Sequence, residues 1–160
     1  MHSNIFQLSA KPISAGDFLT SEYFYDDCHF ADYIGDEFND EERHEKIKWL
    51  SVEFPEMFDF VNDEEYGEGL IFKGMGNFLA EWVKAIKDFA DTLTEENILK
   101  DINLYNLKSL TERTNHRLNS RFFIENWNNC AGDCADFIEW LNTLEVGTRI
   151  YFGSVIDYHF

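Results

Sequence analysis

Residues 76–93, GNFLAEWVKAIKDFADTL, carry the clearest periodicity in the chain. Phe78, Leu79, Trp82, Val83, Ile86, Phe89, Ala90 and Leu93 recur at three- and four-residue steps, which places them on one face of an α-helix. Glu81, Lys84, Lys87, Asp88 and Asp91 fall on the other face, and Lys84/Asp88 and Lys87/Asp91 are opposite charges one turn apart. Asn77 is the expected N-cap after Gly76. A stripe this rich in aromatics predicts a core helix packed against a sheet. A helix that docks into a partner's groove is the alternative.

The remaining elements are read around that helix. Residues 4–8, NIFQL, predict a strand, ended by Lys11-Pro12. Asp17 or Thr20 is expected to cap a short helical turn anchored by Phe18, Leu19, Tyr23 and Phe24. Residues 27–38, DCHFADYIGDEF, fit a helix with Phe30, Ala31, Ile34 and Phe38 inward and Asp32 and Asp36 one turn apart outside. Asn39 with Glu42 three residues on is a capping box, opening a helix that runs to about Phe54 before Pro55. Residues 57–61 and 69–73 predict a β-hairpin joined by NDEEYGE. Thr94 is expected to cap a further helix carrying Ile98, Leu99, Ile102, Tyr105 and Leu110. Leu104 and Leu107 widen its stripe, so that helix is either buried on more than one side or broken near Asn103. RFFIE at 121–125 reads as a strand, and Asp133 caps a helix facing inward through Cys134, Phe137, Ile138 and Leu141. The last stretch, TRIYFGSVIDYHF, is either a hairpin turning at Gly153-Ser154 or one strand bulged at Gly153. The expected fold is a single α+β domain over residues 1–160, with a mainly antiparallel sheet of about 4–6 strands and helices mostly on one face.

Composition bounds the function. A chain of 160 residues with sixteen Phe supports a real core and argues against disorder. No 18-residue apolar run predicts a membrane span, and the N-terminus does not read as a secretory signal. Three cysteines without such a signal are expected to be free thiols in a reducing cytoplasm. Cys130 and Cys134 lack the spacing of a zinc site. The net charge of −18 excludes a basic footprint for nucleic acid and disfavours anionic membrane.

No chemical motif emerges. There is no G-x-S-x-G, no P-loop and no dinucleotide glycine pattern, and GMG at 74–76 reads as a turn. His2, His29, His44, His116 and His159 show no metal-binding spacing, although His29 and Asp32 would sit one helical turn apart as a base–orienter pair. Asp26-Asp27 and Asp63-Glu64-Glu65 lack the Ca²⁺-loop pattern. No cofactor or metal is expected.

Charge distribution is the most informative feature. Residues 1–75 hold 18 acids against 5 bases, and all 18 lie between Asp17 and Glu68. The densest run is Asp26, Asp27, Asp32, Asp36, Glu37, Asp40, Glu41, Glu42 and Glu45, opposed only by Arg43 before Lys46. Asp32/Asp36 and Glu41/Glu45 would place like charges one turn apart, a repulsion that is kept when a surface field is useful. The expected function is a non-enzymatic binding module whose acidic face engages a basic, nucleic-acid-binding protein, with DNA mimicry of the anti-restriction kind as one form. Three alternatives stand beside it: a carboxylate- and His-dependent hydrolase or metal enzyme, acidity that serves solubility alone, and self-association of the acidic face with the basic 100–121 segment of another copy.

Overall fold

The C-terminal stretch, not the 76–93 helix, is the centre of the molecule. The computed structural model describes residues 2–25, 30–112 and 119–160, without the side chains of 109–112. In it, β6 (Arg149–His159) is one 11-residue strand on which the sheet is assembled. Along one edge it pairs antiparallel with β1 (His2–Ser9), from His2↔His159 to Ser9↔Tyr151. Along its other edge it pairs antiparallel with two strands placed end to end. These are β4 (Gly67–Phe72), at Gly69↔Tyr151, and β2 (Tyr33–Glu37), at Tyr33↔His159. β3 (Phe58–Asp63) completes a hairpin on β4, and β5 (Arg121–Ile124) adds to β1 in parallel. The result is a six-stranded, mostly antiparallel sheet in a single α+β domain.

The terminal stretch is the bulged strand rather than a hairpin. The register shifts between Phe6 and Leu8, and Gly153 marks the place. A Cβ on Gly153 would meet Gln7 Oε1 at 2.1 Å, so only glycine leaves room for that buried side chain. Gln7 is fully used. Its Oε1 accepts from the backbone N–H of Leu19 (2.9 Å) and Ser154 (3.1 Å), and its Nε2 donates to Asp17 O (2.9 Å). One buried amide thus fastens the 15–24 segment to the bulge, as a satisfied buried polar group must. That segment forms two 3₁₀ turns, Ala15–Asp17 and Ser21–Phe24, and neither has the side-chain cap expected of Asp17 or Thr20.

Alternation along the strands divides the core. Phe6, Leu8, Phe122, Ile124, Phe152 and Val155 join a large cluster with Ile47 and Leu50 of α1 (Asp40–Glu53) and Phe137, Ile138 and Leu141 of α4 (Cys134–Leu141). Phe122 and Phe137 stack at 4.1 Å between ring centroids. Ile5, Phe123, Ile156 and Tyr158 join a smaller cluster with Phe24 and Ile34. The capping box expected at Asn39 and Glu42 is present, and the cap expected at Asp133 is completed into a second box by Asp136. The 57–73 hairpin also forms, with Gly67 at φ +65° ending its turn.

Four expectations are overturned. The 76–93 stretch does form a helix, α2 (Phe78–Ala90), but no residue of it is buried and Asn77 makes no side-chain cap. Its link to the core is Phe78, half-buried and 5.9 Å from the Phe54 ring. Residues 27–38 do not form one helix, because Tyr33–Glu37 is strand β2, claimed by the free edge of β6. The helix expected after Thr94 starts later, as α3 (Asp101–Glu112), with Thr94 O accepting from Asn97 and Ile98 in a preceding turn. Finally, Cys130 is disulfide-bonded and Cys134 is a buried free thiol, so the step from free thiols to a reducing compartment loses its basis. Among the described residues, no helix is long and apolar enough to cross a membrane.

Candidate partner-binding face

The acidic run lies where the edge of the sheet hands over to a helix. Asp26, Asp27 and His29 lie outside the described residues. Asp32 precedes β2, Asp36 and Glu37 end it, and Asp40, Glu41 and Glu42 form the first turn of α1, with Glu45 one turn further. All seven are exposed. The strand assignment corrects part of the expected geometry: Asp32 and Asp36 are not one helical turn apart, whereas Glu41 and Glu45 are. The spacing therefore changes along the face, from about 3.3 Å per residue on β2 to about 1.5 Å on α1.

Some of these carboxylates also have structural work. Glu42 closes the capping box, accepting from the Asn39 N–H at 3.3 Å. Glu37 accepts from the Ser21 N–H. Asp40, Glu41 and Glu42 sit where the helix dipole favours anions. Among the described residues the ion-pair neighbours of the seven are histidines only: His159 Nδ1 at 3.9 Å from Asp32 and His44 Nε2 at 4.0 Å from Glu45.

The decisive side chain is Arg43, which the sequence presents as the one opposing charge. It points inward and its side chain is only 11% exposed. Between β4 and β2 the edge of β6 has no strand partner, and Arg43 fills that gap. Its Nε donates to Gly153 O (2.6 Å), its Nη2 to Phe152 O (2.7 Å), and its Nη1 to Glu68 Oε2 (2.6 Å). His44 Nδ1 lies 3.4 Å from Glu68 Oε1, with its ring edge-on to Phe60. Burial pushes the Glu68 carboxyl up, but hydrogen bonds from Arg43, its own backbone N–H and His44 outweigh it and hold the group below its ordinary value. Lys46, the next base, lies 5.0 Å over the Phe38 ring.

The neighbouring acidic turn is similarly committed. Arg149 donates to Asp63 and to Gly67 O (2.7 Å) and stacks on Tyr66 and Tyr151. The hydrogen bond from Arg149 is the main cause holding Asp63 below its ordinary value, and Asp63 Oδ1 also accepts from Glu65 and Tyr66 N–H. Asp63 is thus a turn former tied to Arg149. No group of His, Cys, Asp or Glu with metal-holding geometry occurs among the described residues. An open cleft of about 520 Å³ adjoins the face, lined by His2, Asn4, Glu45, Lys46, Trp49 and Ser120, among others. Asp157 accepts from His2 Nδ1 at 2.9 Å, and the His2 and His159 rings meet edge-on across the β1–β6 pair.

No family model, no curated protein and no solved structure matches this chain.

Proposed function

We propose that this protein is a non-enzymatic binding module whose acidic face, Asp32 to Glu45, engages a basic protein of the nucleic-acid-binding class. The observation that carries this reading is the inward turn of Arg43. The one cation inside the run is consumed by β6 carbonyls and Glu68, so it does not neutralise the carboxylates beside it. An uncompensated row of exposed carboxylates projects the kind of field that steers a basic surface into contact. DNA mimicry is one form of such binding, since an exposed row of carboxylates presents negative charge to a basic surface as a phosphate backbone does. The irregular spacing from β2 to α1 favours a partner that reads charge rather than exact phosphate register.

A carboxylate- and His-dependent enzyme is the second reading, and the open cleft that His2, Lys46 and Glu45 line together is the observation on its side.

The experiment uses Asp36→Asn, Glu41→Gln and Glu45→Gln together, leaving Glu37 and the capping Glu42 in place. The probe is the basic protein fraction retained on a DNA column. Wild type should retain a component of that fraction, and the triple variant should lose at least about tenfold in affinity, some 1.4 kcal/mol. Unchanged retention by the variant would overturn the proposal.

A further inference from the structure

The α2–α3 segment is the part of the molecule that the core does not explain. No residue of α2 is fully buried, although Phe78, Trp82, Ile86 and Phe89 are half-buried, and none of residues 101–108 of α3 is fully buried either. Yet both helices are apolar. Leu79 (38% exposed) and Val83 (49%) project from α2, and Leu99 (80%), Ile102 (61%), Leu104 (44%) and Tyr105 (61%) from α3 and the turn before it. On α3 these residues lie around the circumference rather than on one stripe, since Leu104 sits about 200° from Ile102 and about 100° from Tyr105. A helix apolar on several sides is normally enclosed. Here α3 is covered only where it meets α2, and Ile102, Leu104 and Tyr105 remain exposed.

We propose that the α2–α3 segment is a dimerisation arm and that its occupant is the same arm of a second copy. Two observations select that occupant. The first is area. At about 150–200 Å² for a fully exposed large apolar residue, these six expose on the order of 500–650 Å². A standard interface takes about 800 Å² from each partner, about 65% of it apolar in homodimers, and so needs roughly 500 Å² of apolar surface per copy. The arm meets that figure by itself. The second is charge. Residues 76–108 hold six acids (Glu81, Asp88, Asp91, Glu95, Glu96, Asp101) against Lys84, Lys87, Lys100 and Lys108, a net of −2 in a chain of −18. The arm is the near-neutral place where two strongly acidic molecules can touch, and an isologous pair lays the same patch on itself about a two-fold axis. A basic partner would find its complement at the β2–α1 junction instead. Two arms side by side form four helices, which would enclose α3 on more than one side.

Because apolar contact drives the association while the rest of the molecule repels, added salt should strengthen it. Binding through the acidic face should respond oppositely, so failure of one proposal is distinguishable from failure of the other. The test is mass in solution by light scattering at tens of micromolar protein, in low and high salt. Wild type should approach twice 18.9 kDa, more completely at high salt, and Val83→Glu with Ile102→Glu should remain at 18.9 kDa with unchanged circular dichroism. Both positions are exposed in the monomer, so the substitutions leave its core untouched. Amide exchange on wild type alone provides a second reading: residues 78–108 should gain protection with protein concentration while β1 and β6 do not. A wild type that stays at 18.9 kDa, a dimer indifferent to the double substitution, or an arm protected only by lipid vesicles would overturn the proposal.

Discussion

α1 and α2 reverse the roles their sequences suggest. α1 is DEERHEKIKWLSVE, mostly charged and with little amphipathic pattern, yet Ile47 and Leu50 are completely buried. α2 has the cleanest apolar stripe in the chain, yet that stripe is at most half-buried, at Phe78, Trp82, Ile86 and Phe89. The difference lies in what each helix is tied to. α1 is bound between β2 and β3 in the chain and is fastened to the centre of the sheet by Arg43. α2 follows Gly74 and Gly76, both at positive φ, and leaves the core after Phe78. A periodic stripe states that a face must be covered. It does not state by what, and a second copy satisfies it as well as a sheet does.

The comparison breaks first at Arg43. Arg43→Ala strands Glu68 and two β6 carbonyls in a nearly buried site, and should cost about 3–5 kcal/mol in urea unfolding. Lys84→Ala, which removes an exposed pair with Asp88 on α2, should leave the midpoint in place. Next, Leu50→Ala on α1 should cost about 2–5 kcal/mol at protein concentrations low enough to keep monomers. Leu79→Ala under the same conditions should cost well under about 1 kcal/mol, because its side chain is already partly in water. Equal losses at the two sites would show that α2 is core after all.

Smaller effects sharpen the contrast at the helix starts. Asn39→Ala removes a formed cap and should cost about 1 kcal/mol, whereas Asn77→Ala removes none and should be near neutral in thermal unfolding. The subtlest effect is in pH. Glu68 has its carboxyl held below the ordinary 4.5, so it stabilises the fold above that pH and the contribution fades as pH falls through its folded value. The stability gap between wild type and Glu68→Gln should therefore be full at neutral pH and shrink below about pH 4.5. A gap that widened on acidification would contradict the network drawn around Arg43.

Much of the fold is legible in the residues. Asn39-x-x-Glu42 and the Asp133 cap announce their helices because capping is local chemistry. The 57–73 hairpin and the RFFI strand follow from β-rich runs between turn residues. Tyr33–Glu37 was not legible as a strand, because its apolar spacing also fits a helix and only the open edge of β6 decides. Gln7 was equally silent. Its role depends on Gly153, 146 positions away, leaving space for its amide. Of the candidate face, the identity and exposure of the carboxylates could be read directly. The inward turn of Arg43 could not, since it answers a gap between two strands that meet only in the folded sheet. The signal available was its isolation: a single arginine in a run of acids invites the question of what holds it.

Whether the acidic face acts as an uncompensated field is decided by its affinity for a captured basic protein as a function of salt. Wild-type affinity should fall steeply and linearly in log–log form. Asp36→Asn/Glu41→Gln/Glu45→Gln should bind more weakly with a shallower slope, as fewer charges pair across the interface. A salt-independent affinity, or identical slopes for the two proteins, would contradict it.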